Sequence, residues 1–153
     1  MHAVRSPPSN DVLFFNVDGS ARGNPGAAGI GGVLRDANGR ILCLFSSGIG
    51  ICDSNKAEIL DIHRACMLIS SKQCLMNRHI IIISDSKNAV SWINGDGFGL
   101  LDMVNFIFDI RQLLSSMGSL SIKFMPRGSN SLADSLAKVG SSSREERLEW
   151  GDL

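Results

Sequence analysis

The 153-residue chain has no net charge, because fifteen Lys and Arg balance fifteen Asp and Glu. That excludes a general attraction to phosphate, so any nucleic-acid contact must be local. Its four cysteines, Cys43, Cys52, Cys66 and Cys74, include no C-x-x-C pair and have no nearby histidines to complete a zinc site. Reduced thiols in an intracellular protein, nuclear or cytoplasmic, are expected. The opening MHAVRSPPSN lacks the apolar h-region of a secretory signal. The densest apolar run, residues 80–83, falls far short of the roughly 20 residues needed to span a bilayer, so a soluble chain with no membrane partner is expected. There is no internal repeat, and no low-complexity block beyond the serines at 141–143.

What is present suits one α/β domain with a sizeable core: 44% hydrophobic and 20% charged residues is a globular balance. A Pro- and Ser-rich lead at 1–11 reads as a linker, residues 12–140 as the domain and 141–153 as a tail. Strands are expected at 12–17, 28–35 and 41–46, the last two joined by a turn at Asp36-Ala37-Asn38-Gly39. The pattern then changes period. Ile59, Ile62, Cys66 and Ile69 recur at helical spacing to about Lys72, with Ser54 placed as N-cap. The β-branched run 80–83 reads as a strand covered on both faces. Helices at 87–93 and 101–116, a last strand at 121–125 and a last helix at 131–139 complete the order β-β-β-α-β-α-α-β-α.

Four acids fall at element boundaries. Asp18 closes the first strand, Glu58 lies in the first turn of the long helix, Asp85 closes the fourth strand and Asp134 opens the last helix. Taken singly, each has an ordinary explanation as a macrodipole or turn residue. Ligands of open α/β sheets gather beyond the carboxyl ends of parallel strands, and a first strand beside the fourth would bring Asp18 to Asp85. Carboxylates forced together raise one another's pKa unless a cation compensates. Two Mg²⁺ or Mn²⁺ would balance four carboxylates and leave room for a water and a phosphate, the arrangement suited to phosphodiester hydrolysis.

The company these acids keep resembles ribonuclease H. The match rests on Val17-Asp18-Gly19-Ser20 with Gly23-Asn24-Pro25-Gly26, on Ser54-Asn55-Lys56-Ala57-Glu58, on Ser84-Asp85-Ser86, and on Asn130-Ser131-Leu132-Ala133-Asp134 continuing to Ala137. These motifs stand in the family's order and span residues 13–138. The short P-R-x-x-N-x-x-A-D segment is similar to plant-type domains associated with retrotransposon reverse transcriptases. The resemblance implies a five-stranded mixed sheet of order 3-2-1-4-5, strands 1–3 antiparallel, flanked by helices. It implies catalytic metal ligands at Asp18, Glu58, Asp85 and Asp134, two divalent ions during catalysis, and cleavage of the RNA strand of an RNA/DNA hybrid by a monomer. It further implies substrate contacts at Gly19, Ser20, Asn24, Asn55, Ser86 and Asn130. Asn24 and Asn55 carry amides that can both donate to and accept from a ribose 2′-hydroxyl. Lys87, next but one to Asp85, is the best basic candidate for a phosphate.

The chain departs from that pattern in two places. Many relatives carry a histidine on the loop before the last acid, where this chain has Phe124-Met125-Pro126-Arg127-Gly128-Ser129; Arg127 can contact phosphate but cannot exchange protons. The region around Gly97 lacks a basic, tryptophan-bearing protrusion. An inactive or weakly active nucleic-acid-binding module is therefore the alternative function. His63 and His79 read as packing or surface residues, Trp92 as core or groove edge, Trp150 as an anchor of the tail, and 144–147 as a solvated helical face.

Overall fold

The computed structural model describes residues 12–95, 101–126, 131–143 and 145–153. Its strands are β1 (Leu13–Gly23), β2 (Gly26–Arg35), β3 (Ile41–Cys52), β4 (Ile80–Ser84), β5 (Leu120–Phe124) and β6 (Arg147–Trp150). Its α-helices are α1 (Ser54–Ser70), α2 (Gln73–Met76), α3 (Lys87–Ile93), α4 (Val104–Ser116) and α5 (Ser131–Ser142), with a 3₁₀ turn at Leu101–Met103. The strands form one mixed sheet of order β5-β4-β1-β2-β3-β6. β1, β2 and β3 form an antiparallel meander, whereas β4 runs parallel to β1 and β5 parallel to β4.

The sixth strand corrects the expected five. Within the segment read as a tail, residues 147–150 pair antiparallel with residues 43–46 of β3 and occupy what would be an open edge, so Arg147 begins a strand rather than lying on a helical face. Trp150 is partly buried against the core with Lys72 Nζ 4.8 Å from its ring centre, and Arg64 of α1 reaches Glu146. The serines before this strand are not a separate turn, since α5 continues through Ser142.

Along β1, Leu13, Phe15 and Val17 are fully buried, each contributing about 1.5–3 kcal/mol by leaving water. They share a core with α1 residues Ile59, Ile62, Cys66 and Ile69, and Phe15 meets Phe45 edge-on. The alternate residues face α5. Gly31 lies opposite Asp18, and a Cβ on it would sit 2.5 Å from Ala137 N. Glycine at this position therefore lets α5 lie directly on β2. Burial pushes the Cys43 and Cys66 thiols up to about 12, so both stay protonated at neutral pH. Among the described residues no helix is long and apolar enough to cross a membrane.

Candidate metal centre

β1 does not stop at Asp18 but continues to Gly23, paired with β2 throughout. What ends near Asp18 is the parallel pairing with β4, whose last partners are Asn16 and Ile83. Asp18 thus stands just beyond the parallel ladder. Asp85 follows the last residue of β4 at the same end of the sheet. The cap of α1 is Asp53, not Ser54: its carboxylate accepts from Lys56 N at 2.8 Å, while Ser54 N donates to Asn24 Oδ1 at 3.2 Å. Glu58 consequently lies one turn into the helix rather than in its first turn.

Three carboxylates from three separate elements meet here. Asp18, Glu58 and Asp85 each offer an oxygen within 4.8 Å of the others'. Asp134 is outside that trio, but it lies near enough to Asp18 for its carboxyl to raise the Asp18 pKa further, while Lys138 Nζ holds its Oδ2 at 3.0 Å. Gly19 is what allows the approach. A Cβ there would lie 2.7 Å from the carbonyl carbon of Ala57, so only a bare backbone lets α1 come this close. Its N–H donates to Glu58 Oε1 at 2.7 Å and to Asp18 Oδ1 at 2.9 Å.

The electrostatics follow from the crowding. Asp18 is 1% exposed, and burial first, then the charges of Glu58 and Asp85, push its carboxyl up to about 9. Burial likewise raises Glu58 to about 7, with the charge of Asp85 adding to it and the Gly19 N–H opposing it. Oxygen donors this close, on groups that resist ionising together, fit a hard divalent cation.

Of the expected substrate contacts, Gly19 braces the carboxylates through its N–H, and the Asn24 amide oxygen is engaged at the start of α1. Ser20 pairs with Gly29 in the β1–β2 ladder, and Asn55 is half-buried in the first turn of α1. Ser86 caps α3 by accepting from Ala89 N at 3.1 Å, and Lys87 is exposed in that helix's first turn. Arg127 and Asn130 lie outside the described residues. His63 bonds Asp109 at 3.1 Å and meets Phe106 of α4 edge-on, a helix-packing role.

Asp61 was not among the expected residues. It is fully buried on α1, and among the described residues neither of its oxygens has a hydrogen-bond partner. Its signal in the sequence was a charged residue between the apolar positions Ile59 and Ile62, three places after Glu58.

Residues 16–140 match the sequence model of the reverse transcriptase-like family. The chain belongs to this family, whose domain is ribonuclease H-like. The ribonuclease H-like domain is 48% identical over 48 residues to an Arabidopsis thaliana protein named as a candidate ribonuclease H. That match takes in 31% of this chain but 8% of the Arabidopsis protein. Among solved structures, LC11-RNase H1, isolated from compost by a metagenomic approach, superposes with a TM-score of 0.77 at 28% identity, covering 85% of this chain and 95% of that one. A second structure of LC11-RNase H1 holds an RNA/DNA hybrid, with a TM-score of 0.77 at 28% identity over 85% of this chain and 96% of that one. RNase H1 of the halophilic archaeon Halobacterium salinarum gives 0.74 at 26% identity over 86% and 98% of the two chains.

Proposed function

We propose that the chain is a divalent-metal-dependent endonuclease that hydrolyses the RNA strand of RNA/DNA hybrids. The observation that carries this reading is the convergence of Asp18, Glu58 and Asp85 within 4.8 Å, with Asp134 beside Asp18. Two bound Mg²⁺ or Mn²⁺ ions would supply the charge that lets these groups ionise together and the electrophile that a phosphodiester needs. The acids would hold the ions, and the Gly19 N–H fixes the direction of Glu58. Lys87 meets a neighbouring phosphate. Asn24 and Asn55, flanking the start of α1, recognise ribose 2′-hydroxyls and make cleavage specific for RNA without reading bases. A water oxygen adds to phosphorus as the P–O3′ bond breaks, leaving a 5′-phosphate and a 3′-hydroxyl.

The test is cleavage of end-labelled hybrid by the full chain with Mg²⁺ or Mn²⁺. Wild-type protein should cut, and Asp85→Asn should lose about 100-fold or more of that activity with little change in melting temperature. Intact hybrid at high wild-type concentration overturns the reading. An inactive nucleic-acid-binding module is favoured by one contact, the Lys138–Asp134 pair, which gives that carboxylate an internal counter-ion. Such a module should show no Mg²⁺-dependent rise in melting temperature, whereas a metal site stabilises the fold by mass action.

A further inference from the structure

Lys138 brings a positive charge to the edge of the acidic cluster. Its Nζ lies 3.0 Å from Asp134 Oδ2, one helical turn away on α5, with the acid preceding the base as a favourable i,i+4 pair requires. The helix that carries both is anchored, because Ala133, Leu136 and Ala137 are buried where α5 lies against Gly31 of β2. Asp134 is in turn close enough to Asp18 for its charge to act there. The two partners differ in exposure: 65% of the Lys138 side chain is open to solvent, against 30% for Asp134. A pair this exposed holds weakly and can open.

An ammonium and a hard divalent cation seek the same carboxylate lone pairs. An oxygen engaged by one is closed to the other, and the two cations repel each other at short range. We propose that Lys138 acts on the metal centre through Asp134: its ammonium holds this carboxylate in the metal-free protein and must let go before the fourth acid can join a divalent cation. Apparent affinity falls by the fraction of time that the carboxylate is already taken. The inference rests on the metal-site reading above and adds to it a competitor carried by the chain itself. It also separates a counter-ion that yields to metal from one that replaces it.

The experiment compares wild type, Lys138→Met, Lys138→Arg and the charge control Arg40→Gln in the full chain, by calorimetric titration with Mn²⁺ and by melting in EDTA and in Mg²⁺. Met keeps a long, helix-favouring stem without the charge, and Lys138→Met should tighten Mn²⁺ binding about 3- to 10-fold. Arg keeps the charge, so Lys138→Arg should bind no more tightly than wild type. Arg40 pairs with Asp36 in the turn at the opposite end of the sheet, and its loss should leave the affinity unchanged. In EDTA Lys138→Met should melt slightly lower than wild type, and Mg²⁺ should raise its melting temperature by more. A pair that merely stabilises the helix predicts lower melting in EDTA with unchanged Mn²⁺ affinity, and that result overturns the inference. Equal tightening in Arg40→Gln or Lys138→Arg also overturns it. Unchanged affinity in Lys138→Met together with loss of binding in Asp85→Asn removes this inference alone, whereas no Mn²⁺ binding by either wild type or Lys138→Met removes the metal-site reading with it.

Discussion

A methyl group added at Gly19 would meet the Ala57 backbone, so Gly19→Ala must push α1 off β1 and carry Glu58 away from the amide that holds it. The expected cost is on the order of 1–3 kcal/mol in urea unfolding, with loss of the Mg²⁺-dependent rise in melting temperature. The crowded acids make a second prediction. Between the ordinary 3.8 of an Asp and about 9, folded Asp18 keeps a proton that the unfolded chain has released, and Glu58 does so between 4.5 and about 7. The native state therefore binds more protons, and stability in EDTA falls as pH rises through that window, by at most about 1.4 kcal/mol per pH unit for each group. Melting temperatures measured in EDTA from pH 5 to 9 should decline, and Mg²⁺ should restore more at pH 9 than at pH 6; a flat profile would contradict this. Asn24 offers a third prediction: its oxygen accepts from Ser54 N, and its NH₂ supplies the donors that a ligand oxygen would meet. Asn24→Asp should keep the fold and weaken hybrid binding in a filter or fluorescence assay. The four acids were legible because each sits in a recognisable motif, although Asp18 and Glu58 lie inside their elements rather than at the boundaries expected. Asp61 was not, because a charge in a helix's apolar stripe acquires meaning only once the depth of its neighbour is known.

At the level of elements, the helices were the easier part. Periodicity located α1, α3, α4 and α5; the starts it misplaced were that of α1, a choice between adjacent capping residues Asp53 and Ser54, and that of α4, where residues 101–103 form a 3₁₀ turn before Val104. Asp53→Ala should cost about 1 kcal/mol in thermal or urea unfolding, by removing the bond to Lys56 N. The strands were harder. The second half of β1, Asp18-Gly19-Ser20-Ala21-Arg22-Gly23, has turn-like composition and little β-propensity, yet full pairing with β2 holds it extended. β6 gave no signal at all, since Arg147-Leu148-Glu149-Trp150 is four residues long with two charges. It is a strand because β3 presents an edge to pair with, which no local pattern encodes.

For the whole molecule, zero net charge limits what the proposed substrate can gain from electrostatics. With Lys87 and Arg127 as the two candidate phosphate contacts, raising salt from about 50 to 200 mM should weaken hybrid binding only about tenfold, far less than for a strongly basic nuclease. Equilibrium binding in Ca²⁺, measured across a salt series, checks this. The β6 strand has a practical consequence for anyone ending the gene at Gly140, where the match to the family stops. Such a product would keep every acid of the candidate metal site yet expose the bare backbone of β3 along residues 43–46, an invitation for two molecules to zip together edge to edge. It should elute from a sizing column as dimers or larger aggregates, and apparent inactivity in that sample would reflect its stickiness rather than its chemistry.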